Sequence, residues 1–203
     1  MFAAIVHEVS HGYAAYLCGD TTARDAGRLT LNPLKHLDPF GSVILPLVMA
    51  FAGGPIFGYA RPVPFNPYRL HDRRRDALLV ALAGPLSNIV QAVLASILFR
   101  VGLAAGWLVS APIIMQIVSL YVWVNLILCF FNLIPLPPLD GSHIIAFFLR
   151  GKALTAYYTV QRYSLPILLV VLYVLPIFLG FNPLGIYFSA TAENLYRLFL
   201  FGV

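Results

Sequence analysis

Charge is what this sequence has least of. Asp, Glu, Lys and Arg make up only 10% of its 203 residues, against 60% hydrophobic, whereas soluble domains carry about 25% charged residues. That deficit excludes an ordinary cytosolic enzyme, and the shortage of polar sequence excludes disorder. Cysteine is nearly absent. Cys18 and Cys129 both lie in apolar surroundings and make no disulfide framework. Glutamate is as scarce, with only Glu8 and Glu193 in the chain. No cleavable signal peptide is read at the start, because the first apolar run already carries His7, Glu8 and His11. The net charge of +5 does not point to nucleic acid, since the basic residues fall between apolar runs, where they set membrane orientation. The composition describes an integral membrane protein in a lipid bilayer.

Apolar runs place the spans. A hydrocarbon core needs about 20 residues of helix. Residues 1–19, 77–99, 111–134 and 163–181 meet or approach that length, and 185–201, with Glu193, Asn194 and Arg197, reads as a short span or an interfacial helix. The run 40–58 is divided by Pro46 and by Gly53-Gly54-Pro55, and basic residues flank it on both sides, so it reads as re-entrant. Residues 20–76 and 135–162 then face the cytoplasm, and eleven of the 13 basic residues lie on that side; Arg100 and Arg197 are the exceptions. Two stretches, 28–32 and 60–65, read as extended, the first by its period-two alternation and the second by its prolines. The expected fold is an all-α polytopic membrane protein of about four to six membrane segments, one of them re-entrant, with a small β element. It forms a single membrane-embedded domain over 1–203, with its core motifs in 1–150.

The first run contains His7-Glu8-Val9-Ser10-His11. On a helix the two histidines share a face about 6 Å apart along the axis and can grip one zinc ion. Glu8 is then placed to take a proton from water on the metal. Composition alone would produce this motif in roughly one chain in a thousand of this make-up. A purely structural polar cluster would have to explain a carboxylate and two imidazoles within a lipid-length apolar run, where ionisable residues are costly and functional by default. A catalytic zinc usually has three protein ligands. Asp140, His143, Cys18 and Glu193 are the candidates for the third. Prolines 135, 137 and 138 unwind the end of the third run, so that Asp140 can turn back towards the membrane, whereas Cys18 reads as a packed thiol. In the second run Gly84 allows close helix approach and Pro85 kinks the helix; Asn88 reads equally as an interhelical bond or a substrate contact.

Together the motifs H-E-V-S-H, G-P-L-S-N and N-L-I-P-L-P-P-L-D-G resemble the site-2 protease family of intramembrane zinc metalloproteases. The stretches G-R-L-T-L-N-P and G-Y-A-R-P-V-P-F-N-P resemble its small bacterial members without PDZ or CBS domains. The resemblance covers most of 1–150. It implies His7, His11 and Asp140 as ligands of one zinc per chain, Glu8 as general base, and Asn132 and Asn88 on the substrate side. It also implies a transmembrane protein or peptide as substrate, hydrolysed within the bacterial plasma membrane with the active site towards the cytoplasm, and no nucleic-acid partner. The extended stretches would then dock the unwound substrate by β-augmentation. Six residues precede His7, about 9 Å of helix, where family members carry a longer apolar stretch. Two rival readings are a zinc protease of another class with Glu193 as third ligand, and a non-proteolytic zinc-binding scaffold or transporter.

Overall fold

The structure, a computed structural model, describes residues 1–38, 41, 44–51 and 61–202. Among the described residues the regular structure is helical and includes no strand. The chain separates into two compact units, Met1–Gly84 and Pro85–Val203.

The first unit is built on α1 (Phe2–Leu17), a short α2 (Thr22–Asp25), α3 (Leu45–Phe51) and the beginning of α4 (Arg73–Ala104). Gly19 ends α1 at a φ of 101°, and His71 packs where its side chain would be, with Nε2 only 2.7 Å from the position of a Cβ. Both conditions demand glycine. Asp20 follows and is fully buried. Its carboxylate accepts from the Thr22 N–H at 3.0 Å, the Thr22 hydroxyl at 2.5 Å and the Asn66 N–H at 2.5 Å. Burial pushes the Asp20 carboxyl up, but these donors outweigh it and leave its pKa below the usual value.

Two Asn-Pro pairs make the same local device. Asn32 accepts from Leu34 N–H at 3.1 Å and Asn66 from Tyr68 N–H at 3.0 Å, each opening a one-turn 3₁₀ helix with proline at its first position. At the start of α4, Asp72 caps the N–H groups of Arg74 and Arg75, while Asp76 reaches back to the Asp72 N–H at 2.9 Å. This reciprocal arrangement satisfies three orphan donors. Ala15, Leu70 and Val80 form the buried core of the unit, with Cys18, Phe65 and Ala77 against it, so Cys18 is a packed thiol.

Among the described residues of 28–32 and 60–65, none pairs as a strand. Thr30 N–H turns back to Arg28 O at 3.0 Å, and Thr30 O accepts from His36 Nε2–H at 2.7 Å, which leaves that residue no ladder bonds. Pro62 and Pro64 remove two donors from the second stretch, and a guanidinium, described below, takes the place of a partner strand. Of the re-entrant segment 40–58, only position 41 and residues 44–51 are described, including α3; the rest of it lies outside the described residues.

In the second unit, α4 continues and packs with α5 (Pro112–Asn132). Asn88 Nδ2 donates to Asn125 Oδ1 at 2.9 Å with both residues fully buried, and Tyr121 OH donates to Gln91 Oε1 at 2.5 Å. The apolar core joins Ala92, Ala95 and Phe99 to Val122 and Leu126, with Ala192 and Leu200 from the C-terminal segment. The small side chains at 92 and 95 permit close helix approach. Beyond α5 come α6 (Gly141–Phe148), α7 (Gly151–Gln161), α8 (Ser164–Leu169), α9 (Leu175–Leu179), α10 (Pro183–Phe188) and α11 (Asn194–Phe201). Two π-helical turns, Val170–Val174 and Ser189–Glu193, interrupt the last two apolar runs.

Among the described residues, α4 and α5 are long and apolar enough to cross a membrane. A third span is reached if Gly151–Gln161 and Pro166–Leu179, bent by 62°, count as one. α1, at 16 residues, is shorter than the roughly 20 that a full crossing takes.

The Asp20 hub generates a stability prediction. Asp20→Ala should destabilise the first unit by about 1.5–3 kcal/mol at neutral pH, the worth of hydrogen bonds to a charged acceptor. Because the folded-state pKa is depressed, this contribution is present above the unfolded value and lost as pH falls through the folded one. The difference in melting temperature between wild type and variant should therefore shrink below about pH 4.

Candidate metal centre

α1 puts His7 and His11 one turn apart. Their Nε2 atoms are 3.0 Å apart, with the rings edge to face at 86°. Two nitrogens each about 2.05 Å from a tetrahedral zinc would be about 3.3 Å apart, so the pair already has the spacing of a chelate. His11 Nδ1 lies 2.6 Å from the Val80 carbonyl of α4. A carbonyl only accepts, so Nδ1 carries the proton and Nε2 presents the lone pair. This is the orienting bond that metal-bound histidines ordinarily make. His7 is 95% shielded from solvent, at 5% exposure.

Gly84 completes the cradle on the α4 side. A Cβ there would fall 2.6 Å from His7 Cε1 and would also collide with His11 Nε2 and Cε1. The glycine leaves the two rings their space. The chemistry of this donor set, two imidazoles with one tautomer fixed, fits zinc.

Glu8 follows His7 on α1, and its Oε2 accepts from the Val63 N–H at 2.9 Å. Val63 belongs to an extended strap. Arg61 N–H donates to His36 O at 2.9 Å, and Arg61 O and Pro62 O accept from Arg28 Nη2 at 2.7 and 3.3 Å. The backbone groups that a docking strand would use at 61–63 are thus engaged inside the unit. Burial, then the like charge of Arg61, lowers the Arg28 pKa, and Glu8 opposes them.

The other predicted residues lie in the second unit. Asp140 is the N-cap of α6, and its carbonyl accepts from His143 N–H at 2.9 Å. His143 is exposed. Asn132 closes α5, with Nδ2 donating to Leu128 O at 2.9 Å. Asn88 makes the bond to Asn125 already described. Glu193 pairs with Arg197 at 2.5 Å. Sequence reasoning missed Val63, Arg28 and Asn125. Val63 is the lone amide between two prolines, and Asn125 is an amide in an apolar run that needs a partner; both were available as signals.

The family model described as Peptidase family M50 matches residues 100–175. YwhC of Bacillus subtilis (strain 168), whose name is that of a zinc metalloprotease, is 38% identical over 197 residues, 96% of this chain and 85% of that protein. The chain belongs to peptidase family M50. Its relatives include Rip2 of Mycolicibacterium smegmatis (strain ATCC 700084 / mc(2)155), 29% identical over 82% of this chain and 62% of that protein. Rip2 of Mycobacterium tuberculosis (strain ATCC 25618 / H37Rv) is 31% identical over 81% and 61%. Both carry zinc-metalloprotease names. No solved structure matches. As an M50 member the chain is a zinc metalloprotease and an integral membrane protein.

The Gly84 cradle is directly testable. Gly84→Ala should lower zinc affinity by about 10–100-fold, the range for disturbed ligand orientation. Metal analysis after dialysis against a graded chelator reads the loss, with the helical circular dichroism unchanged.

Proposed function

We propose that this M50 protease hydrolyses peptide bonds within transmembrane segments of other membrane proteins, from a site opening towards the cytoplasm. The observation that carries the reading is the His7–His11 pair, pre-set at 3.0 Å with Glu8 beside it on an apolar helix. Asp140 is assigned as the third ligand of a single zinc, on the strength of its place in the L-D-G motif. The engagement of Glu193 with Arg197 argues against Glu193 in that role.

When bound, zinc supplies the Lewis acidity that amide hydrolysis needs near neutral pH. The residues of the chain do the rest. His11, held by Val80 O, fixes the direction of its lone pair. Glu8 Oε1 takes the proton from the attacking water and returns it to the leaving amine, while Oε2 stays anchored on Val63 N–H. Asn132 is assigned to the substrate carbonyl. Asn88 is assigned a secondary contact on the same side, alongside its bond to Asn125. A helical substrate must unwind before its amides are accessible.

Glu8→Gln should abolish detectable cleavage of a transmembrane substrate in detergent or liposomes, a loss of about 10²–10⁴-fold, while zinc stays at the wild-type level. Asp140→Ala should lose zinc and cleavage together. Full zinc in folded Asp140→Ala protein would move the third ligand elsewhere.

Topology has its own measurement. Leu34 and Tyr68 are 74% and 75% exposed on the first unit. Single cysteines at these positions, in a background lacking Cys18 and Cys129, should both label from the cytoplasmic side if 40–58 re-enters. Labelling from opposite sides makes that segment a span.

A further inference from the structure

The strap over Glu8 has an unusual donor inventory. Pro62 and Pro64 carry no N–H, so Val63 supplies the only amide of the tripeptide, and that amide is bound to Glu8 Oε2 at 2.9 Å. Three further contacts fix the strap. The Val63 side chain is buried and faces α1 at Gly12, where a Cβ would come within 2.6 Å of Val63 Cγ1 and 2.8 Å of Leu29 Cδ2. Arg61 N–H is held by His36 O. Arg28, itself only 7% exposed, reaches across with one guanidinium nitrogen to the carbonyls of Arg61 and Pro62, the two residues immediately before Val63.

A guanidinium is expensive to bury and ordinarily meets a carboxylate or phosphate. Here, among the described residues, it donates to two successive carbonyls of a strap that is in no strand. Removing that donor would leave the position of Val63 to its side-chain packing and to the Arg61–His36 bond. The carboxylate would keep a hydrogen-bond partner but lose its fixed direction.

We propose that Arg28 is a positioning residue for Glu8, acting through the Arg61–Val63 strap. This rests on the reading of Glu8 as the proton acceptor. Arg28 touches neither substrate nor metal; it sets which way the carboxylate faces. The conservative replacement is informative, because a lysine keeps the positive charge but not the length and planar donor geometry of the guanidinium.

The test combines hydrogen exchange with kinetics on the full-length, zinc-loaded chain. Because Pro62 and Pro64 have no amide, exchange across 62–64 reports the Val63 N–H alone. It should be protected in the wild type and in Glu8→Gln, whose side-chain oxygen still accepts, and should exchange at least tenfold faster in Glu8→Ala and Arg28→Gln. Arg28→Gln should lower kcat by roughly 10–10²-fold, as a misplaced catalytic group does, with KM and zinc content unchanged. Arg28→Lys should fall between wild type and Arg28→Gln in both readouts, and decides the matter should Arg28→Gln fail to fold. Unchanged Val63 exchange, a loss confined to KM, or loss of zinc would each overturn the proposal. Undiminished cleavage by Glu8→Gln would instead overturn the catalytic reading, while the exchange rates still report on the strap.

Discussion

One donated proton orders the candidate metal centre. His11 Nδ1–H to Val80 O, at 2.6 Å, joins α1 to α4, fixes the imidazole tautomer and turns Nε2 towards its neighbour on His7. In apolar surroundings an imidazole without such a bond would carry an unsatisfied N–H at a cost of about 1–3 kcal/mol. The same bond that stabilises the packing also prepares the ligand. Gly84 and the Ala15–Leu70–Val80 core then serve this contact, since both keep α4 close enough for its carbonyl to reach the ring.

The first unit solves a general problem of polar chemistry in apolar sequence. Its polar side chains cannot rely on water for their remaining hydrogen bonds. Each is therefore satisfied by backbone from a different segment: His11 by α4, Glu8 by the strap, Asp20 by Thr22 and Asn66. Irregular chain between α1 and α4 is used as a supply of backbone donors and acceptors. Proline at 62 and 64 reduces that supply to what the site takes up and stiffens the remainder.

The pairing of His7 with His11 was legible because metal chemistry demands particular side chains at fixed helical spacing. H-E-x-x-H names its residues directly, and Cys18 was readable as a packed thiol from its neighbours. The helical class was legible from apolar runs. The supporting residues were harder to see for a physical reason: Arg28 and Val63 act through backbone carbonyls and an N–H, which every sequence possesses, so only the flanking prolines mark Val63 and nothing marks Arg28. The expected strands at 28–32 and 60–65 failed on the same point. The alternation at 28–32 and the prolines at 60–65 were present, but the ladder groups of the described residues were already engaged by His36, Arg28 and Glu8. The interruptions of the last two apolar runs were invisible because a π turn changes hydrogen-bond register without changing hydropathy.

The Asn88–Asn125 bond works as an index mark between two long helices. Sliding α5 by one helical turn against α4 would carry the amide about 5.4 Å away, and rotating it by one residue would turn the amide by about 100°; either breaks the bond inside a fully buried layer. Asn132 stands seven residues further along α5, on nearly the same face and about 10.5 Å beyond. The depth and heading of that asparagine relative to α4 are thereby set from a distance by a buried pair of amides.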